Sequence, residues 1–545
     1  MMMLPAFMLG ASVVASPTGE FRIRARLPAK ADRSKAAALG AGFLEGGRGG
    51  WRHLAVNSAQ LAALQDAGVA VEFLPAPPPE GPDGYPTHEE MADALQALAE
   101  AHPDTARLVQ LGVSEEGRAI WALRISATAS PDLQWRILGD HHGDEPSSGV
   151  LALAVAEHLL RLHGTDSDIT RLLDTDAVWI APMVNPDGIA RGSRYNANAV
   201  DINRNFGHAW SAAAYRAGEA PFSEPETRAV RAHGAWTGLG AGLSMHSGET
   251  NLGWVWNHDA MPAPDASLLE DMATAYLDAC TTPGFWVTNG ADWYPTTGDT
   301  NDWSYGRHGV LDFTLEVTLD KAPPAELLPQ MIEDHIPAVV TFLSWPHRAT
   351  GTVQDAETGL PVPAVVQIDG VPLSTGPDGR FGRPISPAGR TAVVAAPGFR
   401  SQSVDLEPGV PATVLLERDG LDPVRPLPVV LSRTGPGEFD LPFHADAVRL
   451  HRTGELPVAA IPTAGGWRID PALLAPGPWT LVVDGMAAPN ALFIGEVDDR
   501  VELNAVEVSD DRVSLLGRGF GHGTRAWAFA GALRSPIPLI ILTTT

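Results

Sequence analysis

The sequence predicts a central α/β domain, a mixed and mostly parallel sheet flanked by helices, with a small α/β domain before it and C-terminal β-sandwich domains after it. Three observations predict this. Between residues 85 and 348, apolar runs of strand length alternate with helical patterns, as at 135–138, 150–162 and 177–180. Such alternation builds a sheet covered by helices. From 349 to 418, short β runs such as 364–368 and 391–396 are separated by turn chemistry such as GPDG at 376–379, the pattern of a small sandwich. A Pro/Gly linker at 75–84, PAPPPEGPDG, separates both from the segment 20–74. A chain of 545 residues also exceeds what one core supports.

The elements follow in order. Residues 1–19 have the apolar length of a secretory leader, with small residues at Ala15 and Ser16 but no Lys or Arg before them. A secreted or periplasmic address is the expectation, with no stable membrane span. In 20–74, residues 21–27 alternate apolar and basic, which puts Arg22, Arg24 and Arg26 on the wet face of a strand. A second strand is expected near 51–56, then a helix at 59–67 capped by Ser58, then a strand at 69–74. This basic unit inside an acidic chain is expected to dock on the larger α/β domain as a pro-like domain. After the linker, Thr87 with Glu90 forms a capping box, and Met91, Leu95 and Leu98 line one face of the helix it starts. Residues 419–545 are again β-like and Pro/Gly-rich, with no chemical motif.

Composition narrows the chemistry. With 44% hydrophobic and 19% charged residues the chain is ordinary for a globular protein. A formal charge of -27 argues against a nucleic-acid partner, since phosphate binding is driven by Lys and Arg. The one cysteine, Cys280, forbids an intrachain disulfide and any multi-cysteine metal site. A metal here must use His and carboxylates.

Six short segments supply them: HGDE at 142–145, Arg194, DINRNF at 201–206, SMHS at 244–247, Trp293-Tyr294, and TLEV at 314–317. His142 and Glu145 are spaced so that both side chains can converge where a strand end enters a helix. Only His142 gives the three-residue step to Glu145; His141 does not. Such a pair needs a distant third ligand, and His246 is the candidate. Zinc on three protein ligands activates water and polarises a carbonyl. Each remaining segment has a plain alternative: Arg194 in a surface ion pair, Asn203-Arg204 in a turn, Tyr294 in packing, Glu316 as a solvated strand residue. A lone carboxylate in the apolar run 313–317 is costly without a purpose.

In this order and spacing the segments, with NPDG at 185–188, resemble the zinc metallocarboxypeptidases (peptidase family M14). The run TLDKAPP after Glu316 and a β-sandwich from 349 are most similar to the regulatory N/E subfamily, which carries a transthyretin-like domain directly after the catalytic one. The resemblance covers roughly 85–418. It implies one Zn2+ held by His142, Glu145 and His246, with Asp201 orienting a ligand histidine. It implies that Asn203 and Arg204 grip the substrate's C-terminal carboxylate, a task suited to a planar guanidinium with an adjacent amide. Arg194 would stabilise the oxyanion, Glu316 act as general base, and Tyr294 close over the bound C-terminus. The side-chain pocket departs from the basic-specific pattern. Asn257 stands where an aspartate is expected eleven residues after His246, Asn301 precedes the Asp302-Trp pair, and Asp259 and Asp299 are the nearby acids. Ser247 replaces a usual glycine.

The expected function is zinc-dependent hydrolysis of the C-terminal peptide bond of peptides or proteins, by a monomer. The alternatives are the same site acting on a cell-wall peptide or an acylated amino acid, or an inactive peptide-binding protein.

Overall fold

The computed structural model describes residues 20–44, 50–74, 84–376, 378–396 and 399–418, and from 429 onward a set of short strands. The leader-like residues 1–19 and all but the last residue of the linker lie outside the described residues.

The first unit begins with β1 (Glu20–Arg26), α1 (Lys30–Ala38), β2 (Gly42–Leu44), β3 (Trp51–Asn57), α2 (Ser58–Asp66) and β4 (Val71–Phe73), with sheet order β2-β3-β1-β4. The sequence reading missed α1 and β2. Helix α1 (KADRSKAAA) lacks an apolar stripe, and β2 is three residues long. The helix cap is Asn57, not Ser58. Its Oδ1 accepts from the amides of Ala59 and Gln60, and the Gln60 side chain returns to the Asn57 amide. Of the strand arginines, Arg24 pairs with Glu72 inside this sheet, while Arg22 reaches Asp144, 3.7 Å away in the next segment.

The catalytic segment runs α3 (His88–Ala101), β5 (Ala106–Val113), β6 (Ala119–Ile125), β7 (Gln134–Leu138), α4 (Ser147–Leu162), α5 (Ser167–Thr175), β8 (Ala177–Ala181), α6 (Pro186–Ala190), α7 (Pro225–Thr237), β9 (Ala241–His246), β10 (Asn251–Trp254), α8 (Ala266–Ala279), β11 (Trp286–Asn289), α9 (Gly290–Trp293), α10 (Thr300–His308), β12 (Leu311–Glu316) and α11 (Leu328–Leu343). The Thr87–Glu90 capping box starts α3 as expected, with Met91 and Leu95 buried and Leu98 half-buried. The eight strands form one sheet in the order β11-β10-β12-β9-β7-β8-β6-β5. Its centre, β12-β9-β7-β8, is parallel, and β6, β5 and β10 join antiparallel. The four central strands are apolar and buried because helices cover both faces. In such a sheet side chains from neighbouring strand ends converge at one edge.

One ion pair crosses this core. Arg136 on β7 donates from Nη2 to Asp312 Oδ2 on β12 at 3.0 Å and to Ser304 Oγ at 2.7 Å, with both charged side chains 2% exposed or less.

The second unit holds β13 (Arg348–Asp355), β14 (Val365–Ile368), β15 (Val371–Ser374), β16 (Arg380–Pro384), β17 (Arg390–Ala395), β18 (Gln402–Leu406) and β19 (Ala412–Leu416). They form a three-stranded and a four-stranded sheet. Val353, Phe381 and Val414 of one and Val366, Leu373 and Val394 of the other share a core, so this is a sandwich. The described residues from 429 onward are strands, including a hairpin of β20 (Gly477–Val483) and β21 (Met486–Gly495). No helix among the described residues is long and apolar enough to cross a membrane.

Candidate active site

The site forms where the parallel strands end. The segment 139–146 leaves β7 and enters α4 carrying His142 and Glu145. Asp140 turns this segment with a φ of 50°, and its Oδ1 accepts from Ser148 Oγ (2.9 Å) and the Gly149 amide (2.8 Å). Those two bonds hold an unusual left-handed backbone that a non-glycine residue rarely adopts. Gly143 is needed because the turn presses on the NPDG segment: a Cβ there would lie 1.9 Å from the Gly188 carbonyl carbon. His246 is the last residue of β9 and Glu316 the last of β12. They are direct partners in the parallel ladder, so their side chains share one face and one row. Asn251 on β10 occupies the next place in that row.

His142 Nδ1 lies 3.0 Å from Glu145 Oε1, His246 Nδ1 lies 3.0 Å from Glu145 Oε2, and the two Nδ1 atoms are 3.2 Å apart. All three side chains are buried. Ligands about 2.0–2.1 Å from a tetrahedral zinc are separated by roughly 3.3 Å, so this donor set fits the ion. It is the metal-compatible cluster among the described residues.

The surroundings hold the triad in place. Asp201 Oδ1 is 3.2 Å from His142 Nε2 and its Oδ2 accepts from Arg194 Nε at 2.9 Å. Burial alone would raise the Asp201 carboxyl, but the charges of Arg194 and His142 hold it well below the usual carboxylate range. Asp201 also caps the short turn Ile202–Arg204 through the Asn203 amide. Arg194 Nη1 points back at the triad, 3.2 Å from His142 Nδ1 and 3.4 Å from Glu145 Oε1. His141, set aside as a ligand, stacks on His246 at 5.1 Å and places Nε2 3.1 Å from Thr300 Oγ1.

Asn203 Oδ1 accepts from both the amide and the hydroxyl of Thr300, which fixes Nδ2 3.3 Å from His246 Nε2. With Nδ1 of His246 given to a metal, Nε2 carries the ring proton and meets a second donor. Nδ2 of Asn203 is then left for an outside acceptor. Arg204 Nη1 donates to the Asn203 carbonyl at 2.8 Å.

Asn203, Arg204, His246 and Glu316 line one cavity with Asn257, Tyr294, Thr296, Asp299 and Asn301. Of the pocket residues named from the sequence, the structure brings together Asn203, Arg204, Asn257, Tyr294, Asp299 and Asn301 and leaves out Asp259. Asp299, 2% exposed, accepts from Asn257 Nδ2 (3.0 Å), Thr296 Oγ1 (2.7 Å) and the Asp302 amide (2.9 Å). Asn301 Oδ1 accepts from Thr314 Oγ1, and its buried Nδ2 has no partner among the described residues. Asp259 is exposed and does not line the cavity. Asp302 takes the amides of Asn257 and His258 and the His258 ring, which turns the following residues outward. Tyr294 is 6% exposed and stacks on Phe43 of β2 at 5.3 Å and 9°.

Two residues were missed. Thr300 has no motif of its own. Lys321 Nζ lies 2.5 Å from Glu145 Oε1 and 3.2 Å from Asp144; the signal was a lysine five residues beyond Glu316 in a run of acids and apolars.

Comparison with known proteins agrees with this geometry. Residues 91–338 match the family model described as zinc carboxypeptidase. Carboxypeptidase D of Drosophila melanogaster is 26% identical over 344 residues, 54% of this chain and 24% of that one. Carboxypeptidase E of Caenorhabditis elegans is 28% identical over 414 residues, 62% of this chain and 87% of that one. The chain thus spans about a quarter of the carboxypeptidase D chains it matches, 24% and 26% in the fly and the duck Anas platyrhynchos. Among solved structures, the carboxypeptidase A from Helicoverpa armigera aligns with a TM-score of 0.51 at 19% identity, over 60% of this chain and 97% of that one, a likeness of fold. The match spans every ligand and cavity residue described above, from His142 to Glu316, and it is to zinc carboxypeptidases (peptidase family M14) that residues 91–338 are similar.

Proposed function

We propose that this chain is a zinc-dependent carboxypeptidase that releases single residues from the free C-termini of peptides. One observation carries the reading: a metal ligand, His246, and a buried carboxylate, Glu316, line the same cavity as the carboxylate-binding pair Asn203 and Arg204. A substrate anchored there by its terminal carboxylate presents its last peptide bond to the metal side. Zinc on His142, Glu145 and His246 supplies an activated water and a polarised carbonyl. Glu316 takes the proton from the attacking water and returns it to the leaving amine. Arg194, anchored on Asp201 through Nε and Nη2, keeps Nη1 where the oxyanion develops. Asp201 orients His142. Tyr294 covers the bound terminus. The complete set of these residues favours a working enzyme over a binding protein. The test is chelator-sensitive release of C-terminal residues from a mixed peptide panel; zinc binding without release sinks the reading.

The pocket supports a cationic C-terminal side chain. Asp299 is buried, faces the cavity and has no cation within ion-pair range among the described residues, so a Lys or Arg of the substrate completes it. Asp299→Asn is expected to lower kcat/KM for C-terminal Lys and Arg about 10–100-fold and leave C-terminal Leu within a few-fold, the scale of one charged hydrogen bond. Equal losses on both substrates reject this pocket assignment.

Residues 20–74 act, in this reading, as a pro-like domain. Phe43 covers Tyr294, Trp293 and Tyr294 sit in the core of that small domain, and Arg33 Nη2 donates to the Asp292 carbonyl at 2.8 Å. The docking is chiefly aromatic; of the three strand arginines expected to steer it, Arg22 makes the contact. Phe43→Ala is expected to raise kcat/KM several-fold by releasing Tyr294, and unchanged kinetics in the folded variant would reject the role. Residues 349–418 are assigned as the transthyretin-like domain, and secretion rests on residues 1–19.

A further inference from the structure

Lys321 is not needed by any step above, yet it touches the metal site from three directions. Its ammonium, 16% exposed, lies 2.5 Å from Oε1 of the ligand Glu145 and 3.2 Å from Asp144. Its carbonyl accepts from Ser247 Oγ at 2.7 Å and from Ser147 Oγ at 3.2 Å. Ser247 directly follows the ligand His246, and Ser147 is two residues beyond Glu145. The serine that departs from the expected glycine after His246 therefore has a partner, and that partner is the lysine on the ligand carboxylate.

The consequence is geometric. A glutamate ligand has three rotatable bonds and two oxygens. Here Oε1 faces Lys321, while the Ser247 amide lies 3.3 Å from Oε2. Both oxygens are thus set by groups belonging to one connected unit, Ser247–Lys321–Glu145, which is pinned at both ends to ligand-bearing segments. Lys321 does not line the substrate cavity, which separates it from residues that grip substrate. Groups that orient metal ligands act through metal affinity.

We propose that Lys321 is the positioning residue of the zinc ligand Glu145, and that Ser247 holds Lys321 in that role. This rests on the zinc site and not on peptide turnover. The test is zinc affinity of the full chain, measured without peptide by competition with a chromophoric chelator. Lys321→Met keeps the length of the side chain and removes its charge; it is expected to weaken zinc binding 10–100-fold. At saturating zinc, KM for a cleaved peptide stays unchanged. Ser247→Ala, a milder change that tests the inference if the first variant does not fold, is expected to weaken zinc several-fold in the same direction. Lys321→Arg, which retains charge and donors, is expected to recover most of the loss. Zinc affinity equal to wild type in either folded variant overturns the proposal, as does a rise in KM as the sole effect of Lys321→Met, which would make the lysine a substrate contact. A chain that binds zinc as expected and cleaves nothing sinks the peptidase reading and leaves this one standing.

Discussion

Glu316→Gln is expected to reduce kcat by about 10²–10⁴-fold while one zinc stays bound per chain. The size of the loss follows from placement. Glu316 ends β12, is fully buried, and sits beside His246 in the ladder. The glutamine has the same shape and keeps the strand packing, so the change removes proton transfer and little else. Zinc content by atomic absorption, alongside release of C-terminal residues, checks it. Zinc lost together with activity would mean that Glu316 holds the metal site together; activity within ten-fold of wild type would mean that another group moves the proton.

The largest effect on stability is expected at Arg136. Its guanidinium meets Asp312 across β9, and Asp312 Oδ1 is also 3.4 Å from Ser244 Oγ on that strand. Burial pulls the Arg136 pKa down and pushes the Asp312 carboxyl up, and each ion opposes the other's shift. Replacing Arg136 with Met leaves a buried carboxylate uncompensated, a cost of about 3–5 kcal/mol. Denaturant midpoints followed by tryptophan fluorescence read it. Arg136→Met combined with Asp312→Asn should regain much of the loss, because the pair itself adds little net stability once desolvation is counted. A single-variant loss under about 1 kcal/mol would show that water reaches Asp312 or that it binds a proton at little cost.

What the sequence made legible tracks how much chemistry each residue type constrains. The triad was legible because an HxxE step needs a distant third ligand, and the resemblance in order and spacing of the segments singled out His246 among 17 histidines. The mixed sheet was legible because the mostly apolar strand-length runs at 135–138 and 177–180 alternate with a helical pattern at 150–162, as strands covered by helices require. Helix α1 was not, since a polar helix whose burial comes from tertiary contacts carries no periodic signal. The choice between Asp259 and Asp299 was closed to sequence because it depends on where Asp302 turns the chain, a matter of three hydrogen bonds between residues over forty positions apart. Lys321 was closed for the same reason: nothing in a single lysine announces that its carbonyl and its ammonium both return to the metal site.

The contact between Gly143 and Gly188 has a consequence for how this protein can change over time. With a Cβ at Gly143 falling 1.9 Å from the Gly188 carbonyl carbon, no side chain is admissible there while the NPDG backbone stays where it is. Gly188 is equally confined, since a Cβ there would fall 2.5 Å from the Asn185 side chain. Neither segment can be rebuilt alone. Two stretches some forty residues apart are therefore inherited as one, and any lineage that alters either must alter both at once or lose the turn that presents His142 and Glu145.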